Sequence, residues 1–213
     1  MKKLDNLFFN KINLVIIITI FGILLTACDS SEREIDGLSL LTNKEHPKMW
    51  EKEDKFLNYA EKMGAEKKVR FMEEDYNDES LITYSHHEYG DEIVYSIWLQ
   101  ITRIKEKRLG LDKSLEIAKT YLPSFIDNGK YKSPIYSIYQ DKEDKDKKYY
   151  LITYKYKDYY EDNPNKLPAH VYIKLYTDEK GVSDIFITNR RGYTYSTFKS
   201  GNKLISETDQ FVK

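Results

Sequence analysis

Four short runs in the second half of the chain, SPIYSIY, KYYLITYKYK, AHVYIKLYT and SDIFITN, restrict its fold more than any other feature. Each is rich in tyrosine and β-branched residues and has strand length. In AHVYIKLYT the alternation is clean: Val171, Ile173 and Leu175 share one face, and His170, Tyr172, Lys174 and Tyr176 share the other. The links DKEDKDK, DYYEDNPNKLP and DEKG are charged or carry Pro or Gly, as hairpin connectors do. Four consecutive strands joined in this way predict an antiparallel sheet.

The first half adds helices and more strands. From Pro47, residues Met49, Trp50, Phe56, Leu57, Ala60 and Met63 recur near the 3.6 period, with Pro47 suited to a first helical position and Gly64 to a stop. KKVRFMEED, LITYSHHEY and EIVYSIWLQITRIK then read as strands, the last two as a hairpin about Gly90-Asp91, with Ile93, Tyr95, Ile97, Leu99 and Ile101 alternating. A second helix is expected in LDKSLEIAKTYLPSFIDNG, with Asp112 as cap, a stripe of Leu115, Ala118, Leu122 and Phe125, and a break at Pro123. The expectation is an α+β fold, two helices packed on a largely antiparallel sheet of about six to seven strands. The spacing of the two helix-plus-strand halves also admits a diverged tandem α-β repeat, although they share no motif.

At the other end of the chain a basic segment carrying Lys2, Lys3 and Lys11 precedes the uncharged run INLVIIITIFGILLTA and the one cysteine, Cys28. A basic region followed by an apolar one of this length is the pattern of a secretory signal. Leu25-Thr26-Ala27-Cys28 resembles the lipobox of bacterial membrane lipoproteins. The resemblance implies that the signal peptide is removed before Cys28 and that the thiol carries diacylglycerol, a two-chain lipid suited to stable anchoring. Counted from Leu7, the same run is also about long enough to cross a bilayer uncleaved. Both readings place the rest of the chain outside the cytoplasm, at the cell membrane.

The expected organisation is a signal peptide over 1–27, a lipidated tether over 28–45, one α+β domain over 46–200 and a polar tail over 201–213. A free coil of the tether's length has a mean span of about 23 Å. A net charge of -1 gives no electrostatic case for nucleic acid as a partner. With a single cysteine no internal disulfide can form.

Candidate chemistry is sparse. Thirteen of the 19 tyrosines lie between Tyr131 and Tyr195, so one sheet face, carrying His170, Tyr172, Lys174 and Tyr176, is the candidate binding surface for an envelope or extracellular protein or a glycan. The competing reading is that tyrosine forms strands well and tolerates half-buried sites. In KYYLITYKYK the facing is ambiguous: Tyr150, Ile152, Tyr154 and Tyr156 oppose Leu151, Thr153, Lys155 and Lys157. His86 and Glu88, together with His170, could form a metal site from a strand pair, the basis of an alternative reading as an envelope hydrolase or metal-dependent enzyme. No zinc-type spacing supports it, and the carboxylates Asp141, Glu143, Asp144 and Asp146 lack the glycine and terminal glutamate of a calcium loop. No nucleotide-binding or hydrolase motif occurs either. The expectation is therefore a non-enzymatic binding or interaction module, with no metal or cofactor beyond the covalent lipid on Cys28.

Overall fold

A computed structural model describes residues 36–71, 80–86, 93–104, 108–158, 166–190 and 201–211, without the side chain of His86. Cys28, Glu88, the Gly90-Asp91 turn and a short strand expected over 193–198 lie outside the described residues. Among those described, three α-helices accompany one eight-stranded sheet. The helices are α1 (Gly37–Thr42), α2 (Glu53–Lys62) and α3 (Leu111–Thr120). The strands are β1 (Val69–Phe71), β2 (Ile82–His86), β3 (Val94–Leu99), β4 (Ile135–Asp141), β5 (Lys148–Lys155), β6 (His170–Asp178), β7 (Gly181–Thr188) and β8 (Asn202–Thr208). Their order in the sheet is β1-β2-β3-β7-β6-β5-β4-β8. The α+β class agrees with the sequence, but the sheet is larger than six to seven strands and there is a third helix.

The second-half meander forms as expected, β4 to β7 pairing antiparallel in succession, and β2 and β3 form the first antiparallel pair. β1 departs from the pattern by running parallel to β2. The halves therefore differ in topology, one opening on a parallel pair and the other a plain meander, so no repeat is supported. Val94 and Ile97 both belong to the main core, which strict alternation forbids; a register shift opposite Ser85/His86 allows it. Tyr95 lies outside that core, with the Arg190 guanidinium 3.9 Å from its ring centroid.

Two segments expected to be solvated belong to the domain. Within the predicted tether, Asp36 caps α1 by accepting from the Leu38 amide at 3.3 Å, and Leu40 and Leu41 are fully buried. The hydroxyls of Tyr59 and Tyr121 donate to the carbonyls of Leu40 and Leu41 at 3.0 and 3.1 Å, satisfying acceptors at the helix end. Within the predicted tail, β8 pairs with β4 along the sheet edge.

The helix limits are narrower than the apolar spacing suggests. α2 starts at Glu53 because the chain ahead of it is used elsewhere: the Met49 amide donates to Tyr121 O and the Trp50 amide to Val94 O, with Trp50 at φ 77. Leu57 is consequently exposed, while Phe56, Tyr59 and Ala60 are buried. Gly64, at φ 59, ends α2 as expected. α3 stops before Pro123, which opens a separate 3-10 turn over Ser124–Asp127; Asp112 lies in the first turn and Gly110 takes the cap position.

The main core lies between the helices and one face of the sheet. It settles the facing of β5: Tyr150, Ile152, Tyr154 and Tyr156 turn into this core, and Leu151 turns away.

Candidate binding face

The opposite face of the sheet carries a smaller cluster, Tyr139, Leu151 and Tyr172, with Tyr149 and Tyr176 packed against it. Strand register explains why these residues meet. Pairing aligns Trp98, Phe186, Lys174 and Leu151 across β3, β7, β6 and β5, and aligns Asp184, Tyr176, Tyr149 and Tyr139 in the row beside them. Cross-strand neighbours on one face lie within side-chain reach. The rings of Tyr149 and Tyr176 stand edge to face at 5.4 Å, and Lys174 Nζ is 6.0 Å from the Tyr176 ring and 5.9 Å from the Phe186 ring.

His170, Tyr172, Lys174 and Tyr176 share this face but not the same access to solvent. Tyr172 is 2% exposed and Lys174 3%, whereas His170 and Tyr176 are half-buried. The His170 and Tyr172 rings are parallel at 5.7 Å. The more open aromatic is Trp98, 39% exposed, whose indole Nε1 donates to Asp184 Oδ1 at 3.2 Å. Trp98, Phe186 and Asp184 escaped sequence reasoning because their membership depends on which strands adjoin β6.

Burial dominates the electrostatics. Loss of hydration pushes the Lys174 ammonium down to about 8 and the Tyr176 hydroxyl up to about 12. It also raises the Asp184 carboxyl, against the lowering effect of hydrogen bonds from Ser183 and Trp98. Tyr149 rises to about 12 through burial and through its 3.0 Å hydrogen bond to Asp141 Oδ2. An amine that loses its proton near pH 8 is nucleophilic in principle, but Lys174 is shut away from solvent and offers no approach to a substrate in this conformation.

The metal reading required His86 and His170 on a strand pair. β2 and β6 are instead separated by β3 and β7, so the two backbones are roughly 14 Å apart at three strand spacings. The Glu88 part of that reading falls outside the described residues. Among the described residues, no group of three or more His, Cys, Asp or Glu side chains could hold a metal ion. In the acidic β4–β5 link, Asp141 Oδ1 accepts from the amides of Glu143 and Asp144, and Asp144 Oδ1 accepts from that of Asp146, so these carboxylates shape a turn.

No protein-family model, curated protein or solved structure matches the chain. Among the described residues no helix is long and apolar enough to cross a membrane.

Proposed function

We propose that the chain is a membrane-anchored, extracytoplasmic lipoprotein of the bacterial cell envelope, acting as a binding or interaction module for an envelope or extracellular protein or glycan. The observation that carries it is the placement of Leu25-Thr26-Ala27-Cys28 after a basic and then an apolar segment, a short distance before the folded domain. In this reading Cys28 carries the lipid and holds the domain at the outer surface of the cell membrane. Binding falls to the sheet face away from the helices, with Trp98, Tyr176 and His170 as its accessible side chains and Tyr172 and Lys174 beneath them. Rigid amphipathic aromatics suit recognition of protein or sugar surfaces. No catalytic step is assigned to the chain.

The test is metabolic labelling with a clickable palmitate in a bacterial host. The wild-type chain should be labelled and found in the membrane fraction, and Cys28→Ala should lose all label while remaining folded. Label retained by Cys28→Ala would sink the assignment.

A further inference from the structure

At one end of the sheet, beyond β4 and β5, Tyr131 and Tyr156 form an isolated antiparallel bridge. The Lys132 amide donates to Lys155 O and the Lys157 amide to Lys130 O, both at 2.9 Å. The two tyrosines turn into the main core with ring centroids 5.3 Å apart. The period of two therefore places Lys130, Lys132, Lys155 and Lys157 on the other side of this ribbon, in two directly opposed pairs. All four are exposed. His170, paired with Lys155 on the next strand, continues the same face.

Like charges directly opposite one another destabilise a ladder, so the Lys132–Lys155 pair works against folding unless an anion meets it. Lys157 Nζ donates to Gly129 O at 2.7 Å. Among the described residues no carboxylate forms an ion pair with Lys132 or Lys155. Lysine is a point charge with three rotatable donors, which suits phosphate oxygens in several orientations; planar carboxylates favour the arginine fork, and the ladder contains no arginine.

A side chain at Gly37, where α1 starts, would lie 3.2 Å from atoms of Leu81 and Ile104, so the helix begins near the start of β2 and the end of β3. Leu99, at that end, is level with Leu175, five positions along β6 from His170, or roughly 17 Å. The lysines thus occupy the end of the sheet away from the start of α1.

We propose that the ladder of Lys130, Lys132, Lys155 and Lys157 binds a phosphate-bearing polymer of the envelope, not the headgroups of the anchoring membrane. This rests on the envelope reading above and gives it a ligand chemistry. The full chain in detergent is titrated with fluorescent linear polyphosphate at low and high salt. Wild type should bind and weaken with salt; Lys132→Glu/Lys155→Glu should raise Kd at least tenfold, and Lys132→Gln/Lys155→Gln should raise it less. Lys145→Glu/Lys180→Glu, with the same charge change on turns at the other end of the sheet, should raise it little. Thermal unfolding by circular dichroism checks that each variant is folded.

Absence of wild-type binding at low salt would overturn the proposal, as would equal losses in the ladder and control variants. Competition by phosphatidylglycerol mixed micelles or by an oligothymidylate as strong as that of unlabelled polyphosphate would also overturn it. Palmitate labelling separates the two readings. A labelled chain that ignores polyphosphate removes the ladder and leaves the lipid anchor; an unlabelled chain that binds it keeps the ladder and removes the lipid on Cys28.

Discussion

Lys174 is a cation whose chemistry is altered by burial on the candidate binding face. An ordinary lysine loses its proton near 10.5, and loss of hydration brings Lys174 down to about 8. Between those values the unfolded chain holds a proton that the folded chain has released, so this residue makes stability rise with pH through the window. Below pH 8 both states are charged and the folded state bears the full burden, up to about 3 kcal/mol at 1.36 kcal/mol per pK unit. Lys174→Met, similar in volume and uncharged, should therefore raise the urea midpoint at pH 7. The gap from wild type should narrow steadily between pH 8 and 10. Tyr149 and Tyr176, both raised to about 12, oppose this trend only above pH 10, where the unfolded tyrosines ionise first. A gap unchanged between pH 7 and 10 would show that Lys174 keeps its proton in the folded state.

Among the elements, α1 and β8 depart most from expectation, and for opposite reasons. α1 is six residues long, too short for a helical period to be read within the segment expected as a tether. Its helical form depends on packing and on the two tyrosine hydroxyls that meet its carbonyls. Leu40→Ala should cost about 2–5 kcal/mol in urea unfolding, as for other fully buried leucines; a change below 0.5 kcal/mol would mean that α1 is not part of the cooperative unit.

β8, in contrast, is an edge strand with Leu204 and Ile205 exposed, so burial imposes no alternation on its sequence. Phe211, just beyond it, packs on Tyr136 and Tyr150 with centroids at 5.4 and 6.3 Å. A chain ending at residue 200 would leave the whole of β4 as the sheet edge. It should melt at lower temperature and self-associate with rising concentration in light scattering, because an unpaired edge is a template for another strand. A truncated chain that stays monomeric with an unchanged melting curve would refute this role for β8.

At the scale of the whole molecule, the proposed lipid anchor and the domain are expected to be energetically independent. Cys28→Ala should release the chain from lipid labelling yet leave the domain's melting temperature within about 1 °C, since substitutions remote from packed features change stability little. The sequence by itself determined the helix-and-strand vocabulary, the antiparallel meander of the second half, the break at Pro123, the stop at Gly64 and the facing of β6. Each of these is written in local period or in backbone chemistry. The face shared by His170, Tyr172, Lys174 and Tyr176 was legible for that reason, and so was the placement of Cys28 in a lipobox-like motif. Which of those four side chains meets solvent was not legible, because alternation assigns a face and not what lies against it. Only the tertiary structure decided the parallel β1, the place of β8 beside β4, and the joining of Trp98, Phe186 and Asp184 to the Lys174 row. The physical reason is the same in each case: strand order and register are set by contacts between residues far apart in the chain, and no local period encodes them.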